Sequence, residues 1–235
     1  MNEPLSDERI RRGLARQFET RCAGLAAGDG RLGWKVGFGT PEAMARLAIE
    51  APLVGFLSQR ASLDPATELA LSGFACAVVE PEVAVHMGAN LAGDADRDAT
   101  AQAIAGLGPA IEIADLAFPP GDVEEILAAN IYQRHVILGP CDTTRAGGDA
   151  SGLTARIGAD DHDPVEITDV PAAAGSLIDI VAHVARVLAA CGDGLCTGDV
   201  IIAGSLVPPM KIEQSGEFRF ALDPIGSLSV RFTGG

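Results

Sequence analysis

Short apolar segments separated by glycine fill the C-terminal end of the chain, and they constrain its fold more than any other feature. The segments are residues 200–203, 210–213, 218–222 and 228–232, with Gly204, Gly216 and Gly226 between them. Strands this short, joined by turns, form a curled antiparallel sandwich or roll more readily than a doubly wound parallel sheet. We therefore predict an α+β, β-rich fold in which helices pack outside the curled sheet.

The remaining segments alternate between helical and strand periodicity. A first helix capped by Ser6, a second helix that begins at Pro41, and helices over 96–106, 121–129 and 176–191 are predicted. Strands are predicted over 32–39, 109–115 and 134–139, and a hairpin joins 153–157 to 165–167 with His162 in its turn. Residues 52–72 are predicted to form loops and one brief strand.

The composition is that of a globular chain, with 48% hydrophobic and 21% charged residues. No apolar run looks long enough to cross a bilayer, and the polar, acidic start is unlike a signal peptide, so we expect a cytoplasmic protein. Seventeen basic and thirty-two acidic side chains give a net charge of −15, which argues against nucleic acid or an anionic membrane as a partner. The five cysteines contain no CxxC pair and are expected to be reduced thiols.

Residues 78–86 alternate apolar and polar side chains, as a half-buried strand does. Glu80, Glu82 and His86 then share one face, because successive side chains on a strand point to opposite sides. Two adjacent carboxylates repel each other unless they face water or a cation. Mg²⁺ or Mn²⁺ would suit them, since both prefer oxygen ligands. A solvated edge strand, which Pro81 also fits, is the simpler alternative and the one that spacing alone favours.

Two further residues bear on this choice. Glu112 lies between two isoleucines in a predicted strand, and Lys35, one of only two lysines in the chain, lies in a glycine-rich strand. There is no dinucleotide fingerprint, P-loop, nucleophile elbow or zinc-type Cys/His spacing, and the four histidines are scattered. A divalent-metal site with a cationic neighbour is the candidate that remains.

Four segments, taken in order, carry a resemblance to a known family. They are Gly33-Trp34-Lys35-Val36-Gly37, Glu80-Pro81-Glu82, Ala110-Ile111-Glu112-Ile113 and residues 197–205. The set resembles the 2-keto-4-pentenoate hydratase and 4-oxalocrotonate decarboxylase family of the fumarylacetoacetate hydrolase superfamily. The resemblance implies the mixed β-sandwich roll of the superfamily's catalytic domain for residues 31–235, preceded by an N-terminal helical segment over 1–30.

The resemblance also implies a set of site residues. In that family the glutamate pair and the later glutamate bind magnesium or manganese, which carries over to Glu80, Glu82 and Glu112. The lysine of the glycine-rich strand lines the same pocket, which carries over to Lys35. The expected catalytic residues are Lys35, Glu80 and Glu82, and the expected substrate contacts are Lys35, Asn130, Gly204 and Ser205.

The activity that the resemblance implies is hydration of a 2-hydroxy-2,4-dienoate to a 4-hydroxy-2-oxo acid in aromatic catabolism. A 2-oxo acid chelates the metal, which then stabilises the enolate that forms. Decarboxylation of the 4-oxalocrotonate type needs the same chelate and stays open. Acylpyruvate hydrolysis or oxaloacetate tautomerisation is a further alternative. The hydrolase branch, however, places a histidine before the metal-binding glutamates, and here none precedes His86.

The expected partners are a small 2-oxo acid or dienoate and, from the resemblance, further copies of the same chain. Pairing with a homologous decarboxylase is also an expectation. An alternative from another class is a catalytically silent assembly or small-acid-binding subunit, which would bind metal weakly and turn over no substrate alone. Residues 57–76 match no motif of the family, so the segment that covers the substrate is not identified.

Overall fold

The computed structural model describes residues 5–160 and 162–234, and within these ranges the strands form two sheets with helices packed against them. The strands are β1 Arg31–Gly37, β2 Leu53–Ser58, β3 Ser62–Leu63, β4 Glu68–Ala70, β5 Ala77–Met87, β6 Ile104–Asp115, β7 Gln133–Leu138, β8 Thr154–Ala159, β9 His162–Ile167, β10 Val200–Ser205, β11 Met210–Lys211, β12 Gly216–Asp223 and β13 Gly226–Thr233. The α-helices are α1 Glu8–Ala26, α2 Pro41–Leu47, α3 Arg97–Ala103, α4 Val123–Ala128, α5 Val170–Ala174 and α6 Leu177–Ala190.

The larger sheet has the order β2-β1-β10-β5-β6-β7-β3, with β11 added beside β5. It is mixed, because β1 runs parallel to β10 and β3 runs parallel to β7, while the other pairs are antiparallel. The sheet curls until β2 and β7 approach each other. Its inner face holds a small apolar cluster of Leu32, Leu57, Ala84, Ala110, Val136, Val200 and Ile202.

The smaller sheet has the order β4-β13-β12-β8-β9 and packs against the outer face of the larger one. Alternate side chains of β12 and β13, such as Phe218, Phe220 and Phe232, join Val83 and Ile111 of the larger sheet in the main core. These side chains are at most 1% exposed, as expected where two sheets pack face to face. The predicted β-rich α+β fold is thus confirmed.

The central strand β5 differs from the edge strand that spacing alone favours. It pairs with β6 along its whole length and with β10 and β11 on its other side. Pro81 lies where β10 leaves this edge and β11 has not yet begun, so its missing N–H breaks no ladder bond there. The edge-strand interpretation of the glutamate pair is therefore wrong.

Several element boundaries also differ from the predictions. Asp7, whose side chain accepts from the Arg9 N–H, caps α1 in place of Ser6. The helix predicted over 96–106 ends at Ala103, because Ile104 already starts the long strand β6. His162 lies in β9 rather than in the turn of its hairpin.

Residues Val170–Ala190 are long and apolar enough, by length and composition alone, to cross a membrane. In the structure they form two helices, and Gly175 lies between them. The longer helix, α6, packs against β1, β10 and α3 through an apolar stripe that includes Val181, Val184 and Leu188. The helix therefore packs on the core through one apolar face.

Candidate metal centre

The antiparallel pairing of β5 with β6 brings three carboxylates together on the inner face of the curled sheet. Glu80 lies directly opposite Glu112 in the register, and Glu82 lies two residues further along β5 on the same face. Each residue offers one oxygen such that the three oxygens lie within 4.8 Å of one another. Glu82 and Glu112 are 1% and 0% exposed, whereas Glu80 is partly exposed. The face predicted to carry these glutamates is therefore an interior one.

Lys35 reaches the same place from β1. In the sheet, β10 and β5 lie between β1 and β6, which would place the two strands about 14 Å apart in a flat sheet. The Lys35 ammonium nevertheless donates directly to Glu112 Oε1, because the sheet curls around its inner face. It also donates to the backbone carbonyl of Ile131 over 3.1 Å. The side chain is 3% exposed, so this is a buried ion pair.

The strand β10 supplies the remaining predicted residues. The Gly204 N–H donates to Glu82 Oε2 over 2.6 Å, and Ser205 stands opposite Glu82 in the register. The Ser205 hydroxyl is buried and has no hydrogen-bond partner among the described residues. It is therefore free to bond to a small molecule beside Glu82.

Burial and mutual repulsion perturb the carboxylates. Removal from water, and secondarily the charge of Glu112, raises the pKa of Glu80 to about 7. The nearby charge of Lys35 lowers this pKa and so opposes part of the shift. The pKa of Glu82 is raised well above its ordinary value, mainly by burial and then by Glu112 and Glu80. Lys35 and the Gly204 N–H oppose that shift only in part. With all groups ionised, the cluster would carry two net negative charges.

A divalent cation fits this arrangement. The second oxygen of Glu112 is buried and has no hydrogen-bond partner within the described part of the chain. An unpaired carboxylate oxygen in the interior costs free energy, and a cation between the three glutamates would remove that cost. The donor set is all oxygen, which suits Mg²⁺ or Mn²⁺ better than a softer metal. Glu80, Glu82 and Glu112 are the residues that would hold the ion.

A second ionic cluster anchors the strands that carry the site. Asp199, immediately before β10, accepts two hydrogen bonds of 2.6 Å from Arg31 of β1 and one of 3.3 Å from Trp34 Nε1. Arg21 of α1 stacks over Trp34, with its guanidinium carbon 4.7 Å from the ring centroid. The segment 197–205 thus combines an anchor, Asp199, with the two residues that face Glu82.

Asn130 has contacts different from the predicted one. Its side-chain oxygen accepts from the Phe56 N–H and its amide nitrogen donates to the Phe56 carbonyl, both over 2.8 Å. Both ends of the amide are therefore used within the protein, and substrate contact by Asn130 stays a prediction. The Ile131 carbonyl beside it was not predicted, since a backbone acceptor has no signature in side-chain pattern. The left-handed turn that presents this carbonyl is equally invisible in the sequence.

No family model matches the chain. The chain is 28% identical over 214 residues to the TodF product hydratase of Pseudomonas putida, an alignment that covers 88% of this chain and 78% of that protein. It is 25% identical over 212 residues to a 4-oxalocrotonate decarboxylase of a Pseudomonas species, covering 89% of this chain and 82% of that protein. These relatives are enzymes of the family that the sequence motifs suggest.

Two solved structures share the fold. The 4-oxalocrotonate decarboxylase from Pseudomonas putida G7, complexed with magnesium and adipate, superposes with a TM-score of 0.86 at 22% identity, covering 99% of this chain and 90% of that one. Fumarylpyruvate hydrolase from Pseudomonas aeruginosa, with Mn²⁺ and pyruvate, gives a TM-score of 0.68 at 16% identity, covering 88% and 91%. At these identities the likeness shows the fold. The metals in these two proteins are the two predicted for this chain.

Proposed function

We propose that this chain, whose motifs and curated relatives are those of the 2-keto-4-pentenoate hydratase and 4-oxalocrotonate decarboxylase family, is a metal-dependent hydratase of that family. Its substrate is a 2-hydroxy-2,4-dienoate and its product a 4-hydroxy-2-oxo acid. The observation that carries the proposal is the buried triad of Glu80, Glu82 and Glu112 beside Lys35. Three interior carboxylates with one ammonium are costly unless they serve a cation and an anionic ligand.

The three glutamates hold Mg²⁺ or Mn²⁺ in this proposal. When bound, the metal ion would polarise the 2-oxo group and stabilise the negative charge that develops on its oxygen during ketonisation. The partly exposed Glu80 lies where a ligand can approach, whereas Glu82 and Glu112 form the buried floor.

The other residues act on the substrate directly. An ammonium group has three N–H donors, and Lys35 uses two of them on Glu112 and Ile131, so the third is available to a substrate oxygen. Lys35 is also the group placed to exchange protons as the dienol ketonises, after which water adds at C4 and C3 gains a proton. The free hydroxyl of Ser205 is suited to bind the substrate carboxylate.

The test is the ultraviolet absorbance of 2-hydroxypenta-2,4-dienoate, followed with Mg²⁺ or Mn²⁺ and compared with the Glu82→Gln variant. The native protein should consume the dienoate only with metal present and release the hydroxy-oxo acid, and the variant should not. Metal binding without consumption of the dienoate would exclude the hydratase. Absence of metal binding would exclude the whole proposal.

Decarboxylation is the second candidate, favoured by the 25% identity to a 4-oxalocrotonate decarboxylase. Loss of CO₂ from the far carboxylate of 4-oxalocrotonate passes an electron pair through the conjugated double bond to the 2-oxo oxygen. The same oxygen carries the negative charge when the dienol ketonises, so the glutamates and Lys35 would serve either reaction. Release of CO₂ from 4-oxalocrotonate, measured on the same preparation, separates the two activities. Acylpyruvate hydrolysis is a weaker candidate, because no histidine precedes His86.

The setting proposed for this activity is the cytoplasm, within aromatic catabolism. We also propose that the enzyme is a homo-oligomer and that it can pair with a homologous decarboxylase. Light scattering of the purified protein, alone and mixed with such a decarboxylase, would measure both properties. A monomer in both conditions would contradict them.

A further inference from the structure

The turn at Asn130–Tyr132 has an unusual backbone. Asn130, Ile131 and Tyr132 have φ angles of +52°, +53° and +60°, so three consecutive residues are left-handed. Each such residue costs about 1–2 kcal/mol relative to the right-handed form, and a β-branched residue such as Ile131 is especially rare there. Strain of this size persists only where the surroundings hold it, and it is concentrated at functional sites.

Side-chain amides from two directions hold this turn against β2. Asn130 bonds to both the N–H and the carbonyl of Phe56, much as a neighbouring strand would. Three residues before Asn130, the carbonyl of Leu127 accepts a hydrogen bond of 3.0 Å from the buried Gln17 of α1. Gln17 also donates to the carbonyl of Val54 over 3.2 Å. The turn is therefore fixed at its start and along the helix that precedes it.

Two glycines allow the turn to lie close to Lys35. A Cβ atom on Gly55 would lie 3.0 Å from Asn130 Oδ1 and 3.0 Å from Lys35 Cγ. A Cβ atom on Gly37 would lie 2.9 Å from the Ile131 side chain. Since both distances are shorter than side chains tolerate without movement, the bare strand positions on β1 and β2 set the approach of the turn.

The result of this packing is the position of one carbonyl. The Ile131 oxygen accepts from the Lys35 ammonium over 3.1 Å, in addition to the bond that this ammonium donates to Glu112. Two fixed acceptors determine the direction of the third N–H, and fixed direction is what lowers the entropic cost of reaching a transition state. Without Ile131, the flexible lysine would keep only its bond to Glu112.

We propose that Asn130 is a positioning residue: through its left-handed turn it directs the Ile131 carbonyl at Lys35 and so aims the lysine's remaining N–H at the substrate. The inference rests on the proposed function for its catalytic consequence. The geometric part of the inference is independent of the proposed function and can be tested without a substrate. Asn130 then needs no contact with the substrate itself.

Lysine labelling tests the geometry. Reductive methylation with ¹³C-formaldehyde in Mg²⁺ buffer should modify the exposed Lys211 quickly and the buried Lys35 slowly in the native protein. In Asn130→Ala, Lys35 should react about 10-fold faster while Lys211 is unchanged, since one of two fixed bonds is lost. Asn130→Asp, which keeps only the acceptor for Phe56 N–H, should lie between the two. Val230→Ala, in the core of the smaller sheet, controls for general loosening of the fold.

Equal Lys35 reactivity in Asn130→Ala and the native protein, or an equal rise in Val230→Ala, would overturn the proposal. Either result stands whether or not the dienoate is a substrate. It therefore separates failure of this inference from failure of the proposed function. Labelling also needs no Lys35 variant, so it decides the matter if such a variant does not fold.

A double-mutant cycle tests the catalytic consequence. Asn130→Ala should lower kcat about 10- to 100-fold with little change in KM, and it should cause less than about a 2-fold further loss in a Lys35→Met background. Asn90→Ala, which removes a similar side-chain bond to the backbone of Thr197, is the matched control and should cost the same small factor in both backgrounds. Equal loss of kcat from Asn130→Ala in both backgrounds would mean a merely structural role and would overturn the proposal.

Discussion

The inner face of the larger sheet and the outer face of the smaller sheet both carry closely spaced charges, but in opposite settings. On the inner face, Glu80, Glu82 and Glu112 share a single ammonium. On the outer face, arginines and carboxylates alternate across β8, β9, β12 and β13, and each arginine has an acidic neighbour. The pairs there include Arg156 with Glu166 and Asp223, and Arg219 with Asp160 and Glu217.

Solvent exposure accounts for the difference in what these charges contribute to the stability of the fold. The side chains of Arg156 and Glu166 are 57% and 55% exposed, so water already solvates them and the pairs add little. The inner carboxylates are excess negative charge in the interior. Their burial costs free energy that the single ammonium within the fold does not offset. Unbalanced buried charge is thus the physical property that distinguishes the face proposed to be functional. A surface groove of about 780 Å³ lies on the balanced outer face.

The two lysines provide the sharpest test of this contrast, because each pairs with a glutamate. Lys35→Met should lower the free energy of unfolding by about 3–5 kcal/mol, since it leaves Glu112 buried without its partner. Lys211→Met, which removes the exposed pair with Glu213, should leave the urea midpoint unchanged. Urea titrations of both variants give the comparison, and similar midpoints for the two would contradict it.

A smaller effect is expected from Glu82→Gln, which keeps the shape of the side chain. Calorimetric titration with Mn²⁺ should give an affinity at least about 100-fold weaker, because even outer contacts of metal sites are worth up to that factor. The metal-free variant should at the same time be more stable than the native protein, because a repelled buried carboxylate is gone. Glu166→Gln on the outer face is the control. Unchanged Mn²⁺ affinity in Glu82→Gln would remove Glu82 from the site.

The pH dependence of stability follows from Glu80. Its pKa is raised from the ordinary 4.5 to about 7 by burial and by Glu112, so between these values the folded protein holds a proton that the unfolded chain has lost. The raised pKa of Glu80 therefore adds to the free energy of unfolding. This contribution is fully present below pH 4.5 and is lost as the pH rises through about 7. For a partly exposed group we expect about 2 kcal/mol.

The measurement is urea unfolding in EDTA at pH 5 and pH 8, for the native protein and for Glu80→Gln. The native protein should lose about 2 kcal/mol more than the variant over this interval. Added Mg²⁺ should remove the difference, because a bound cation favours the ionised carboxylates. Parallel pH dependence in EDTA would show that Glu80 titrates normally.

The smallest effect is expected on the outer face. Arg156→Ala removes pairs with Glu166 and Asp223, all of them exposed, and should lower the urea midpoint only slightly. The slight change that remains should vanish at 0.5 M NaCl, because salt screens exposed charges. A large, salt-independent loss of stability would show that the exposed ion pairs contribute as much to folding as buried pairs do, and would contradict the comparison.

The sequence alone allowed the β-rich fold, the shared face of Glu80 and Glu82, and the strand position of Glu112 to be predicted. These are local properties, since the two-residue period of a strand is set by its own backbone. The cap of α1 and the end of α3 were predicted wrongly. Packing decides which of two neighbouring residues caps a helix, and it decides where the long strand β6 begins after α3. The contacts of Asn130 were missed for a related reason, as its partner, Phe56, is 74 residues away.

What the sequence by itself determined is the candidate set: carboxylates at alternating strand positions, and one lysine in a strand whose glycines permit close approach. Only the tertiary structure decided that they meet. The curl of the sheet brings Lys35 across two intervening strands to Glu112, and the left-handed turn brings the Ile131 carbonyl to the same ammonium. The reason is that periodicity is local, whereas curl, register between distant strands and the burial of charge depend on the packing of the whole chain.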